Sequence, residues 1–183
     1  MLVRKQYVLV VCLAVAACAR REETVTYTGQ PAPASERMND ASMVELVNDA
    51  NNTVINSSKL ALDRSHNSEV RSVAQRLIND HSSVNQMISQ RGVAMQGNQV
   101  TQDIARSGRK TVSNLSTYSG AAFDRTFIEN EIQQHNWMLS NLNNALIPGA
   151  RNKKLRHELR EFREMEHNHL RMLQDVQSDM RNR

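Results

Sequence analysis

Three histidines and two glutamates stand where helical sequence would otherwise be apolar: His81, Glu131, His135, Glu166 and His169. Imidazole and carboxylate together suit a transition-metal ion. Glu166 and His169 are spaced i, i+3, and Glu131 and His135 are spaced i, i+4, so each pair shares one face of a helix. Carboxylate-bridged metal sites inside helical bundles use those spacings. A glutamate buried without a partner is costly, so these carboxylates must be paired, protonated or metal-bound. Two readings fit. Either the five residues hold one transition-metal ion, or Glu131–His169 and Glu166–His135 satisfy each other as hydrogen-bonded pairs and nothing binds. Taken singly, each histidine reads as an ordinary core histidine with a polar partner.

The elements that would position these residues are helical. Helix 1 spans roughly Asp40–Asp63, with Met43, Val47, Ala50, Val54, Ser57 and Ala61 on one seam. Ser65-His66-Asn67-Ser68 is a turn, where Asn67 or Ser68 can cap the next helix. Helix 2 spans roughly Ser68–Arg91, with Val70, Ala74, Leu77, His81, Val84 and Ile88 in line, and Gly92 and Gly97 end it. A connection over 92–121 follows, and its middle, Gln102–Tyr118, can form short helical pieces with Ile104, Val112 and Leu115 on the bundle. Helix 3 spans roughly Ala121–Ile147, with Ile128, Ile132, His135, Leu139, Leu142 and Leu146 in the same rhythm, until Pro148-Gly149 breaks it. Helix 4 spans roughly Asn152–Met180, with Leu155, Leu159, Phe162, Glu166, His169, Leu173, Val176 and Met180 on its seam. Two tight hairpins joined by one long crossover predict an all-α, four-helix up-down bundle of ferritin-like connectivity, occupying 40–183. In that arrangement helices 2 and 3 run parallel, and His81 and His135 lie at similar depth. A di-iron oxidase centre would need carboxylates from all four helices and a second E-x-x-H. Helix 1 offers none on its seam, and Asp80 points about 100° away from its neighbour His81.

Composition excludes several other classes. Six Gly and three Pro are too few for a loop-rich all-β fold. One Trp, three Phe and three Tyr leave little for a base-stacking surface. The net charge of +4 loses two once Arg4 and Lys5 are removed, which argues against nucleic acid as a partner. Along 151–171, Arg and Lys alternate with Glu as on a solvated helix face. Met138, Met165, Met172 and Met180 read as core fillers. His66 falls in a turn, His157 on an outer face, and His167 beside the seam. No phosphate loop and no Ser/His/Asp signature is present, so the sequence assigns no reaction and leans away from an enzyme.

The address is written at the start of the chain. Arg4 and Lys5 precede an apolar run of 11 residues, Tyr7–Ala17, which is too short for a membrane span and suits a signal segment. Val15-Ala16-Ala17-Cys18 resembles the lipobox of bacterial lipoproteins, in which the cysteine is acylated and the chain is cut before it. The expected organisation is a lipoprotein signal peptide over 1–17, then the lipidated Cys18 and a flexible tether over 18–39. Of the two cysteines, Cys12 would leave with the signal and Cys18 would carry lipid, so the mature chain has no thiol to mispair. The expected place is the periplasmic side of a bacterial envelope, at the outer membrane because Ala19 replaces the Asp of an inner-membrane retention signal.

Further residues carry a family resemblance over about 44–176. They are Lys59-Leu-Ala-Leu62, Glu69-Val-Arg71 with Ala74, Asp80-His81, Ser119-Gly-Ala-Ala-Phe-Asp124, Phe127 leading to His135, and His169-Leu170. This order resembles the ferritin-like exported bacterial proteins grouped as domain of unknown function 4142. The resemblance implies a helical bundle in the envelope and no established activity. Family members often carry Glu-Ile where this chain has Val54-Ile55, Gly at Ser58, and Asp-His at Gln134-His135, so one helix 1 ligand is missing here. The leading expectation is an envelope lipoprotein with a structural, stress-related or protein-interaction role, partnered by the membrane and by a protein or a second copy of itself. The alternative is a metal-binding or redox protein built on the five-residue cluster.

Overall fold

The computed structural model describes residues 38–89 and 99–182. The signal segment, Cys18, the tether, Gly92 and Gly97 lie outside the described residues. Among the described residues every regular element is helical.

Asparagine side chains start three of the helices by taking up free backbone N–H groups. Asn39 Oδ1 accepts from Ser42 N at 2.8 Å and opens α1, Asp40–Arg64. Asn67 Oδ1 accepts from Glu69 N at 2.9 Å and opens α2, Ser68–Ser89. Then comes α3, Gln99–Leu115, a single helix where the sequence predicted short pieces. Ile104 and Leu115 bury themselves as expected, while Val112 stays half-buried. The helix is continuous because it lies flat along α1: Gly108 sits so close to Thr53 that a Cβ there would meet Thr53 Oγ1 at 2.0 Å.

Gly120, the one described residue with positive φ (55°), begins α4, Gly120–Asn141. The helix continues through a wide π turn, Leu142–Leu146, and a last turn, Ile147–Gly149. It takes in Pro148 and ends at Gly149, with Ala150 extended, so the break falls at the Pro148-Gly149 pair as expected. The Pro148 ring would clash with the Asn144 carbonyl in a regular helix, and the wider turn moves that carbonyl aside. Asn152 Oδ1 then accepts from Lys154 N and Leu155 N at 2.9 and 3.1 Å and opens α5, Lys153–Arg181. The carboxylate of Asp40 accepts from Arg151 N and Asn152 N, which ties this turn to the start of α1.

Helix α1 packs along α2 and α3, α4 packs along α5, and α1 with α4 and α2 with α5 close the bundle. The core has two apolar halves. One gathers Met43, Val47, Val84, Ile88, Leu142 and Phe162. The other gathers Ala61, Val70, Leu77, Phe123, Phe127 and Leu173. Between these two stretches fall Asn51 on α1, His81 on α2, Glu131, Gln134 and His135 on α4, and Glu166 with His169 on α5, all buried. No helix among the described residues is long and apolar enough to cross a membrane.

Candidate metal centre

The seams deliver all five candidates to one buried layer. His81, Glu131, His135, Glu166 and His169 are each at most 1 % exposed. Four of them converge: a ligand atom from each of His81, His135, Glu166 and His169 lies within 4.8 Å of the other three. The expected parallel course of α2 and α4 fits the contact between His81 and His135, whose Nε2 atoms are 3.4 Å apart.

Glu131 is close by but turned aside. Its Oε1 accepts from Ser57 Oγ at 2.5 Å, and its Oε2 is 3.9 Å from His135 Nδ1. The reciprocal pairing expected from sequence does not form. His169 bonds Asp80 instead of Glu131, because the residue beside His81 points across to α5. Glu166 approaches His81 Nε2 to 3.8 Å and His135 Nε2 to 4.0 Å, both beyond hydrogen-bond length.

Each imidazole is held from behind. His135 Nδ1 donates to the Glu131 carbonyl at 2.7 Å. His169 Nε2 donates to Asp80 Oδ2 at 2.8 Å. His81 Nδ1 donates to Asn51 Oδ1 at 3.0 Å, while Asn51 Nδ2 donates onward to Asn85 Oδ1. A carbonyl, a carboxylate and an amide oxygen can only accept, so in the neutral rings the outer nitrogen carries the proton. The inner atoms, His81 Nε2, His135 Nε2 and His169 Nδ1, are then bare lone pairs.

Burial keeps the rings neutral. Desolvation pushes His135 down to about 3, and its His169 neighbour adds to the effect. Desolvation likewise lowers His81 well below the usual imidazole range. It lowers His169 too, against the opposing pull of Asp80. Desolvation raises Glu131 to about 8, although the Ser57 hydrogen bond works the other way. Glu166 rises well above its ordinary value, through burial first and then Glu131. Glu131 Oε2, Glu166 Oε1 and His169 Nδ1 are buried with no hydrogen-bond partner.

Two lone pairs facing at 3.4 Å repel unless something positive lies between them. For a metal with nitrogen ligands at about 2.0–2.1 Å, a tetrahedron has an edge of about 3.4 Å. The donor set, three imidazoles and one carboxylate, fits a divalent transition-metal ion. The outer hydrogen bonds are those that orient metal-binding histidines.

Asn51 has no signal in the sequence, since it lies beside the apolar seam of α1 and not on it. Ser57 is on that seam, but its spacing does not announce a bond to Glu131. Asp80 diverges from His81 along α2, and its bond to His169 depends on how α2 and α5 pack. His66 and His157 are exposed, the latter 3.4 Å from Glu161, and His167 is half-buried beside the seam.

Fold and site together define, among the described residues, an all-helical bundle with a buried, histidine-rich polar layer across its middle. Residues 25–176 match the family model described as Domain of unknown function (DUF4142), and the chain belongs to that family. The match starts inside the segment 18–39 that the sequence assigned to a tether. No curated protein and no solved structure matches the chain.

Proposed function

We propose that this protein is a transition-metal-binding helical bundle of the bacterial envelope, with His81, His135, Glu166 and His169 as ligands. The observation that carries the reading is the convergence of a ligand atom from each of these four side chains within 4.8 Å, while each imidazole is tied to an acceptor through one ring nitrogen. A purely structural polar layer would satisfy its own members. Here Glu166 Oε1 and His169 Nδ1 are buried without partners, which costs about 1–3 kcal/mol each unless an ion takes them up.

Four helices carry the layer, α1, α2, α4 and α5, with α3 as the crossover that returns the chain along α1. That order of packing supports reading the bundle as ferritin-like in its connectivity. One ion, not two, suits the site, because α1 contributes an amide and a hydroxyl in place of carboxylates.

The test is metal analysis of protein purified without a polyhistidine tag. About one equivalent of metal is expected, lost in the His135→Ala/His169→Ala double variant. Trp137, the one tryptophan of the chain, borders the layer, so its fluorescence should be quenched on titration with Cu(II) or Co(II). Substoichiometric metal unchanged in the double variant would defeat the reading.

The envelope address rests on Arg4, Lys5, the apolar run and Cys18. Two or more acyl chains on Cys18 would hold the protein stably on a membrane. A Cys18→Ser variant should lose fatty-acid labelling and leave the membrane fraction; persistent labelling would refute the anchor.

A further inference from the structure

Beside the four converging ligands, between α1 and α4, lies a cavity of about 10 Å³. It is bordered by His81 and Glu166 from the site, by Gln134, and by Ala50, Val54 and Trp137 among others. That volume is room for about one water. Gln134 is 5 % exposed, and its Nε2 is buried with no hydrogen-bond partner. A buried amide donor therefore borders the same small space as Glu166, whose Oε1 is also unpartnered.

We infer that this cavity is an exogenous-ligand position on the proposed metal: one solvent-derived oxygen, water or hydroxide, bound to the ion and hydrogen-bonded by Gln134, and exchangeable for a small anion. The inference rests on the metal-binding reading and deepens it. A structural metal site is closed by protein ligands, whereas a reactive one keeps a position for solvent. Placement of the cavity favours the second kind. His135 and His169 do not line it, and its α1 wall is Ala50, Asn51 and Val54, of which only Asn51 is polar and already engaged by His81 and Asn85, so that wall supplies no competing ligand. An oxygen there would give Gln134 Nε2 the acceptor it lacks. An apolar filler would leave the amide orphaned. Room for about one water restricts the ligand to a single heavy atom, so the centre would take water, hydroxide or a monatomic anion and exclude an organic substrate.

Fluoride, a single atom, is the probe, with Co(II) as the metal, using the detergent-purified full chain without a polyhistidine tag. The d–d absorption of bound Co(II) reports coordination directly. Saturable change of that spectrum with fluoride is expected in the unaltered protein. Gln134→Leu keeps the shape and removes the donor. Its Co(II) affinity should stay within a few-fold while its fluoride affinity drops about tenfold or more. An intense spectrum from bound Co(II) that ignores fluoride would overturn this inference alone and leave a closed four-ligand site. Equal fluoride affinity in the Gln134→Leu variant would remove Gln134 from it. Failure of Co(II) to bind at all would remove the metal reading as well. The fluoride titration of the unaltered chain needs no variant to fold.

Discussion

At the scale of single residues, the three hydrogen bonds behind the imidazoles differ in exposure, and that difference separates stability from binding. Asn51 is buried, and its oxygen is the partner of His81 Nδ1. Asp80 has about a third of its side chain exposed (34 %), so water can replace it on His169 Nε2. Removal of a buried partner costs about 1–3 kcal/mol, whereas an exposed one costs much less. Both orient a ligand, and loss of such a group lowers metal affinity about 10–100-fold. Asp80→Ala should therefore fold nearly as well as the native chain yet bind metal at least tenfold more weakly. Asn51→Ala should lose both. Urea midpoints paired with competitive metal titrations would check the contrast. A fall in stability as large for Asp80→Ala as for Asn51→Ala would contradict it.

Secondary-structure elements divide sharply into those the sequence announced and those it did not. The seams of α2 and α5 were legible almost residue by residue, because apolar spacings of 4 and 3 mark the buried face whatever packs against it. His81, Glu166 and His169 were found by interrupting those seams. The partner of each was harder to find. Which acceptor faces His169 depends on how far α2 and α5 are rotated about their own axes, and spacing within one helix carries no such information. Asp80 reaches α5 because α2 presents it sideways, at the angle that seemed to disqualify it. Helix α3 was under-read for a different reason. Its polar composition gives few apolar positions, and it is held instead by close backbone approach at Gly108 to Thr53 and by Arg64 Nη1 donating to Ser116 O and Tyr118 O near its end. Contacts of that kind are tertiary, and no local pattern encodes them. The π turn over Leu142–Leu146, just before α4 ends at Pro148-Gly149, is similar: no local spacing announces it.

For the whole molecule, the polar layer sets how stability responds to pH, and a bound ion should reverse the response. Without metal, the folded chain keeps protons on Glu131 (to about pH 8) and on Glu166, which an unfolded chain releases near 4.5. Their contribution is present below 4.5 and is lost as pH rises through the folded values. The folded chain also refuses protons on His81, His135 and His169, which an unfolded chain binds below 6.5. That effect destabilises as pH falls from 6.5 toward 3. Between 4.5 and 6.5 the two tendencies oppose each other; above 6.5 only the carboxylates act. The metal-free protein should be most stable near pH 6.5 and lose stability toward about pH 8. Metal binding needs neutral imidazoles and an ionised Glu166, so protons compete with the ion and affinity grows with pH. The loaded protein should then gain stability over the interval in which the metal-free protein loses it. Urea midpoints at about pH 5, 6.5 and 8, with chelator and with one equivalent of metal, would show the crossing. Parallel profiles in the two states would mean that the ion does not sit among these five side chains.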